Sequence, residues 1–344
     1  MMIKIQLITR AGLIFLSMGC LVLICLPAFV SPYWLRIFNF ILMWTLWCTS
    51  LNITMGMAGM FNMGHVINIG LGAYTSTYLF LNFGISPWIG MIAGCVVAAL
   101  MAMFITYVAF RYKIAHLAYG LITMGFAFIV MYIITAVPAL GAINGLNIPR
   151  KDDPLMFLFG DSVPYYYIIL ILAAGTIALY WVIDKRKLGI YFKAIRENER
   201  AAEASGINIL KYKLISSVVS AIPAAIGGTF YAQYIGFIDP HSTMGIMLVV
   251  QMILFTAVGG FGLLWGPTVA CFILIPLGEK LNSILGVEYS GAPQIIYGGI
   301  VIAVILLMPD GIVGWLSHRW SLYRCRSAGS DSLPEISPLK IDNP

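Results

Sequence analysis

Residues 87–110 read PWIGMIAGCVVAALMAMFITYVAF and carry no charged side chain. An α-helix rises about 1.5 Å per residue, so about 20 consecutive apolar residues cross the ~30 Å hydrocarbon core of a bilayer. The stretch is long enough for this, and it predicts a membrane-spanning helix.

Similar apolar runs recur along the chain. Apolar residues make up 60% and charged residues 10% of the 344 residues, against about 45–50% and about 25% in an average soluble chain. So few charges cannot cover a soluble core. We therefore expect an all-α, polytopic transmembrane bundle of about ten spans. The runs lie at 11–30, 37–54, 66–81, 87–110, 117–138, 165–183, 212–236, 244–260, 264–278 and 293–309.

Two of these runs are unusual. Lys4 and Arg10 precede the run 11–30, as in a signal peptide, but the run is too long for the apolar region of one. We expect it to be an uncleaved first span. The run 264–278 is short for a bilayer, and short runs of this kind are typical of re-entrant or broken helices.

The basic residues predict the orientation of the bundle. With ten spans and a cytoplasmic N-terminus, both termini lie in the cytoplasm, and all but four of the 20 Lys and Arg residues fall on that side. The exceptions are Arg36, Arg150, Lys151 and Lys280. This distribution satisfies the positive-inside rule. It also explains the net charge of +6 without nucleic acid, because the basic residues flank apolar runs.

The domain organisation follows from the same pattern. Residues 1–320 are predicted to form one transmembrane domain, with a long external loop at 139–164 and a charged cytoplasmic loop at 184–211. The external loop is rich in Pro and turn-forming residues, which favours an irregular structure with at most one short helix. Residues 321–344 are rich in Ser and Pro and are predicted to be a disordered cytoplasmic tail.

Motifs for catalysis and metal binding are absent from the sequence. It contains no G-x-x-x-x-G-K-[S/T], H-E-x-x-H, G-x-S-x-G or C-x-x-C pattern. We therefore predict no catalytic residue, no metal site and no cofactor held by this chain. The cysteines are interpreted as small buried residues within apolar runs, and the histidines lie far apart: Cys20, Cys25, Cys48, Cys95 and Cys271, with Cys325 in the tail; His65, His116, His241 and His318.

Acidic residues are nearly missing from the interiors of the spans, where a proton-driven carrier would normally keep one. The energy for transport would then come from a partner that hydrolyses ATP. A secondary carrier, or a channel for a small neutral solute, stays open as an alternative, because some carriers couple to sodium through backbone oxygens. A membrane enzyme is the weakest interpretation, since no convergent catalytic set is present.

The charged loop contains a predicted helix at residues 190–205. Phe192, Ile195, Glu199 and Ala202 follow the spacing of one helical face. Gly206 is a candidate C-terminal stop, and the residue two positions later, Asn208, is a candidate N-cap for the next span. Such an exposed helix is expected to be ordered only if a partner covers its small-residue face. The alternative is a solvated linker helix.

Glycine and proline breaks mark regions where a transport path is expected. The stretch 54–65 carries no Asp, Glu, Lys or Arg, which is unusual for a cytoplasmic turn, and it is predicted to be tucked against protein. Polar residues within or beside the apolar runs are candidates for lining the path: Asn62, His65, Asn68, Gln233 and Gln251. Hydrogen bonding between helices is the alternative role for these side chains.

Four blocks of sequence, taken in order, resemble the LivM-type permeases of branched-chain amino acid ABC importers. The first block is Gly56-Met57-Ala58-Gly59 through Gly64-His65, with Gly70-Leu71-Gly72-Ala73-Tyr74, and the second is Gly206-Ile207-Asn208 through Tyr212-Lys213-Leu214, with Ala232-Gln233 through Asp239-Pro240. The third is Val258-Gly259-Gly260-Phe261-Gly262 through Pro267, and the last is Met308-Pro309-Asp310-Gly311. The segment 196–206 is similar to the loop with which this family contacts its ATPase, and to the importer pattern E-A-A-x-x-x-G, with Arg200 in place of the glutamate.

The resemblance implies a type II ABC importer fold in a bacterial inner membrane. It implies a sister permease of the LivH type, two ATP-binding subunits that bind the ATP, and a periplasmic substrate-binding protein. The solute would be a branched-chain amino acid or a similar small neutral or zwitterionic molecule such as urea or a short amide. The resemblance also assigns contact with the ATPase to Arg196, Glu197, Glu199, Arg200, Ala201, Ala202, Glu203 and Gly206.

Overall fold

The computed structural model describes residues 23–112, 116–149, 152–285, 291–317 and 319. Most of the predicted first span 11–30 and the whole predicted tail 321–344 lie outside these ranges. So do Cys20, Cys325 and His318, and the side chain of His116 is not described either. The predictions that concern these residues stay predictions.

The described chain consists of long helices joined by short connections. The helices are α1 Pro32–Asn52, α2 Val66–Phe83, α3 Pro87–Arg111, α4 His116–Ala136, α5 Ser162–Lys185, α6 Lys187–Glu197, α7 Glu199–Ala204, α8 Ile209–Ile235, α9 Pro240–Met244, α10 Ile246–Gly259, α11 Gly266–Leu285 and α12 Ala292–Leu307. A π-helical turn, Ile53–Met57, extends α1 and is called the π-turn below. Two short antiparallel strands, β1 Leu146–Asn147 and β2 Phe237–Ile238, pair with each other.

Eight segments of the described chain are long and apolar enough to cross a bilayer. The all-α, polytopic membrane fold is therefore confirmed, whereas the count of ten spans and the cytoplasmic position of both termini stay predictions. The segments are Pro32–Met57, Pro87–Arg111, Ala118–Ala136, Ser162–Lys185, Ile209–Ile235, Pro240–Gly259, Gly266–Leu285 and Ala292–Ser317. Helix α2 is not among them, because Asn, Ser, Thr and Gly residues lower its mean hydropathy.

Helix α2 packs in the interior of the bundle against α3 and α8. Small residues allow this close approach. A Cβ atom at Gly72 would lie 2.2 Å from the carbonyl oxygen of Ala225 in α8, and one at Gly228 would lie 2.0 Å from that of Ile69 in α2. The Thr229 hydroxyl donates a hydrogen bond of 3.0 Å to the Gly72 carbonyl. Glycine contacts and hydroxyl-to-carbonyl bonds are the usual means of joining helices within a membrane.

Two ends of the bundle can be distinguished by their contacts. The charged end carries α6 and α7, the π-turn and the α10–α11 turn, which hydrogen bonds join to one another. The loop end carries the segment 137–161, which packs on the α2–α3 turn and on β2. There the Ser86 hydroxyl donates to the Leu155 carbonyl at 2.6 Å, and the rings of Trp88 and Phe157 stack with their centroids 4.3 Å apart.

The loop at 139–164 is irregular, as predicted, and its described residues 139–149 and 152–161 contain no α-helix. Short 3-10 turns and β1 replace the single short helix that was allowed for: Pro138–Leu140, Ala142–Asn144 and Pro154–Met156. Phe157 is fully buried and ties the loop to the bundle.

The helix breaks lie at other places than expected. The short run 264–278 belongs to α11, a helix of 20 residues that reaches Leu285 because polar residues continue it at the loop end. The break falls instead at Gly245, whose extended backbone (φ −64°, ψ 147°) separates α9 from α10. The predicted helix 190–205 is also divided. Asn198 has extended backbone and accepts a hydrogen bond from the Ala201 N–H, so it ends α6 and caps α7.

Candidate coupling surface and transport path

The segment α6–α7 lies on the charged end with one face against the membrane bundle. Phe192, Ile195 and Ala202 are buried, which confirms the predicted face. Phe192 packs in a cluster with residues of the π-turn, α3, α4 and α5, including Met57 and Tyr180. The expectation that a partner must cover the small-residue face is wrong for Ala202, because this chain already buries it. Apolar contacts within the chain suffice to order the segment.

The side chain of Arg196, near the end of α6, contacts the bundle through one guanidinium nitrogen and the exposed Glu197 through another. Its Nη1 donates a hydrogen bond of 2.6 Å to the carbonyl of Gly56 in the π-turn. Cβ atoms would lie 2.7 Å from Arg196 Cγ at Gly59 and 2.6 Å from Nη1 at Gly262. Gly56, Gly59 and Gly262 thus form a slot for the guanidinium stem, called the glycine slot below. Gly59 and Gly262 also have positive φ, 67° and 77°, which favours glycine.

The glycine slot joins two distant parts of the chain. The Asn52 side chain donates to the Leu263 carbonyl at 3.0 Å and accepts from the Gly262 N–H at 2.9 Å. These two bonds hold the end of α1 to the α10–α11 turn. Arg196 therefore contacts a unit formed by both, so the stretch 54–65 is packed against protein as predicted. Met57, Ala58 and Met60 in this stretch are buried.

A second contact anchors α7 to the start of α8. Lys213 is 1% exposed, forms an ion pair with Glu199, and places its Nζ 3.8 Å from the ring centroid of Phe110. A buried ammonium is retained only with such partners. Lys213 was not predicted from the sequence to be an anchor. Its position among the first residues of an apolar run was the available signal.

The remaining coupling candidates face outward or shape the ends of the segment. Glu197 is 73% exposed and pairs with Arg196 at 3.0 Å, whereas Arg200, Ala201 and Glu203 are exposed. Gly206 has φ 84°, and the Asn208 side chain accepts from the Lys211 N–H at 3.0 Å. Both capping predictions are confirmed. The exposed side of α7 is thus the part of the segment that a partner could reach.

Two of the path candidates, Asn62 and Asn68, line one small internal cavity with room for about one water molecule. Hydroxyl groups surround it, with Thr106 bonded to Ser217 at 2.8 Å and to Tyr119 at 3.1 Å. In this state the cavity is a polar contact between helices and has no room for a solute. The Asn62 side-chain oxygen accepts a local hydrogen bond of 3.0 Å from the Gly64 N–H, so the choice between lining the path and joining helices stays a prediction for both asparagines.

His65 is fully buried between α1 and α2. Its Nε2 lies 2.9 Å from the Ser50 hydroxyl, and its Nδ1 has no hydrogen-bond partner among the described residues. A buried imidazole without a carboxylate partner is neutral, because burial disfavours the charged form. It connects two helices here, and it does not line the cavity that Asn62 and Asn68 share.

The two glutamines line separate cavities at the loop end. Gln233 is 3% exposed, has no hydrogen-bond partner for its side-chain amide among the described residues, and faces a cavity of about 330 Å³. Gln251 lines another cavity of about 380 Å³. The structure therefore does not bring the five path candidates together within this one chain.

The described residues contain no group of three or more His, Cys, Asp or Glu side chains that could hold a metal ion. Cys48 and Cys271 are buried as predicted, and Cys95 is half-buried. Cys25, which directly precedes the 3-10 turn Leu26–Ala28, is exposed, against the prediction.

Comparison with known proteins identifies the family. The family model described as "Branched-chain amino acid transport system / permease component" matches residues 33–309. The chain is 25% identical to the high-affinity branched-chain amino acid transport system permease protein LivM of Escherichia coli strain K12 over 289 residues, which cover 76% of this chain and 66% of LivM. No solved structure gives a significant match.

Two further relatives are named for a different subunit and for a different solute. The chain is 26% identical to the probable branched-chain amino acid transport permease protein LivH of Methanocaldococcus jannaschii, over 71% of this chain and 80% of that protein. It is 25% identical to the guanosine ABC transporter permease protein NupQ of Bacillus subtilis strain 168, over 52% and 62%. The matches span slightly less than two thirds of the length of LivM and of NupQ. The family match extends from α1 to the end of α12, and the chain belongs to the permease component family of branched-chain amino acid transport systems.

Proposed function

We propose that this chain is a permease subunit of an ATP-driven importer in a bacterial inner membrane. It moves branched-chain amino acids or a similar small neutral or zwitterionic solute. It works beside a sister permease of the LivH type, two ATP-binding subunits that hold the ATP, and a periplasmic binding protein. Membership of the family and eight apolar helices support this function.

The observation that carries the proposal is the way α6 and α7 are held. An exposed surface segment with few contacts to the bundle would bend when a partner moves against it, and the helices of the bundle would not be displaced. Here Arg196 fits the glycine slot and Lys213 pairs with Glu199, so each half of the segment has a polar contact with the bundle. A segment fixed at two points transmits displacement to the helices that it contacts. This is the property that an ATPase contact requires.

The geometry also selects the residues for that contact. Arg200, Ala201 and Glu203 lie on the exposed side of α7 and are the proposed contacts with the ATPase. Arg196, Glu199 and Ala202 face the bundle and would act by holding α7 in position, whereas the exposed Gly206 ends α7 through its positive φ of 84°. Glu197 forms an ion pair with Arg196.

A nucleoside is the second candidate solute. Two relatives are named as nucleoside permeases, the guanosine permease NupQ and the nucleoside permease NupC of Lactococcus lactis subsp. cremoris. Uptake of labelled leucine and of labelled guanosine by cells with and without the gene for this chain distinguishes the two. Loss of leucine uptake on deletion supports the amino acid, and loss of guanosine uptake alone supports the nucleoside.

The test of coupling uses Ala201→Trp. This side chain is exposed, so the larger ring fits the chain itself but blocks a surface that approaches α7. Substitutions at Ala202 or Gly206 are unsuitable, because Ala202 is buried and Gly206 has positive φ. The expected result is loss of the co-purifying ATP-binding subunits with normal insertion of the chain. The control is Leu155→Trp, which alters an exposed apolar residue at the loop end. Equal co-purification in both variants would contradict the proposal.

A further inference from the structure

The larger cavity at the loop end has the dimensions of a ligand site. Its volume is about 380 Å³, within the range of about 300–1,000 Å³ found for small-molecule pockets. Four helices, α1, α10, α11 and α12, contribute to its walls. The lining includes two charged side chains, two amides and two aromatic rings: Arg36, Glu279, Gln251, Gln294, Trp44 and Phe255.

Two opposite charges share this cavity without neutralising each other. Arg36 and Glu279 both line it, and neither forms an ion pair with any described residue. The guanidinium of Arg36 lies 5.8 Å from the ring centroid of Phe40, which is its only described cation–π contact. Both charges are thus free to bind a ligand that carries the complementary pair.

The polar and apolar parts of the cavity lie at different depths. Arg36 is in the second turn of α1, and Gln294 is in the first turn of α12, so both lie at the loop end. Trp44 lies about two helical turns, roughly 12 Å, further along α1. Trp44 and Phe255 pack with ring centroids 5.1 Å apart and form an aromatic floor. The cavity therefore has a cation at the loop end and aromatic rings further along α1.

We propose that this cavity binds a free α-amino acid with an apolar side chain, in its zwitterionic form. Arg36 binds the carboxylate, Glu279 binds the ammonium group, and the aliphatic side chain lies against Trp44 and Phe255. A guanidinium suits a carboxylate because its planar N–H groups can bind both oxygens. This inference rests on the proposed function and names a binding site for its solute.

The arrangement discriminates against the alternatives. A nucleoside is uncharged and would leave both Arg36 and Glu279 without a counter-charge. The cavity beside Gln233 has two carboxylates on its lining, Asp152 and Asp161, and no described cationic side chain. It therefore lacks a partner for the carboxylate of an amino acid. The cavity with Arg36 has partners for both charged groups.

The test measures direct binding to the purified, full permease complex without the binding protein. The probes are L-leucine, leucinamide, which lacks the carboxylate, and 4-methylpentanoate, which lacks the amine. We expect Arg36→Gln to weaken leucine binding roughly tenfold or more and to abolish the preference for leucine over leucinamide. Glu279→Gln should weaken leucine binding by a similar factor and abolish the preference for leucine over 4-methylpentanoate. The matched control is Lys280→Gln, the next charged residue of α11, which does not line the cavity.

Leucine binding that changes no more in Arg36→Gln and Glu279→Gln than in Lys280→Gln would overturn the proposal. So would equal losses for all three probes in either variant, because a general loss of structure does not depend on which charged group the probe carries. Leucine uptake by cells with the unaltered chain is measured in parallel. Uptake that persists while the binding test fails leaves the proposed function standing and removes only this site, whereas absent uptake removes the function.

Discussion

The contact between Arg196 and the glycine slot allows a quantitative prediction for Arg196→Ala. A hydrogen bond to a charged group contributes about 1.5–3 kcal/mol when it is well formed. The Arg196 side chain is 37% exposed, so solvent screening favours the lower end, about 1–2 kcal/mol. This energy corresponds to a factor of about 5–30 in a local opening equilibrium. Loss of the side chain should therefore increase the opening of α6–α7 by that factor, with little effect on the bundle.

The assay is hydrogen exchange of the backbone amides of residues 187–204 in the purified chain, with those of α8 as an internal reference. The control is Glu197→Gln, which removes only the ion pair with Arg196. The Glu197 side chain is 73% exposed. Surface pairs of this kind contribute about 0–1 kcal/mol, so exchange should rise by no more than about fivefold. Exchange that is equally fast in Arg196→Ala and Glu197→Gln would refute the reasoning that the Gly56 carbonyl anchors this segment.

Glu199→Gln should lower the free energy of unfolding by about 1–3 kcal/mol, because it leaves Lys213 buried without a counter-charge. Thermal unfolding in detergent checks this, and the double variant with Lys213→Met should regain stability; failure to regain it would contradict the explanation. Gly72→Ala should cost about 1–3 kcal/mol by overpacking against α8, whereas Gly175→Ala in an open position should be neutral in the same assay. Lys187→Cys, an exposed position at the start of α6 outside the proposed ATPase contact, should react with an impermeant maleimide only in lysed cells when the other cysteines are removed, and labelling of intact cells would reverse the predicted orientation.

The helical framework could be predicted from the sequence because burial in a bilayer acts on each span locally. Nine of the ten apolar runs coincide with described helices, and the tenth lies mostly outside the described residues. The errors lie at the ends. Helix α8 begins at Ile209 and not at 212, because Asn208 caps it below the apolar run. Helix α11 continues to Leu285, since helix formation does not stop where apolar residues do.

The candidate site was less predictable because its contacts join residues far apart in the chain. Arg196 and Gly56 are separated by 140 positions, and the acceptor is a backbone carbonyl that no side-chain pattern reveals. The spacing around Arg196 indicated a helix face but not which partner that face had. Polar residues within apolar runs could likewise be identified, as Gln233 and Gln251 were. Their assignment to different cavities depends on packing, which one sequence does not display.

The coupling surface and the proposed ligand cavity lie at opposite ends of the same helices. The glycine slot is built from the end of α1 and the α10–α11 turn, which Asn52 joins through two hydrogen bonds. Three helices that meet there, α1, α10 and α11, also supply three of the four walls of the cavity with Arg36 and Glu279. An α-helix is stiff along its axis. A tilt imposed through Arg196 on α1, α10 and α11 at the charged end of the bundle therefore changes the distance between these helices at the loop end. If both proposals hold, Arg196 is positioned to link movement at the proposed ATPase contact to the width of the proposed solute cavity.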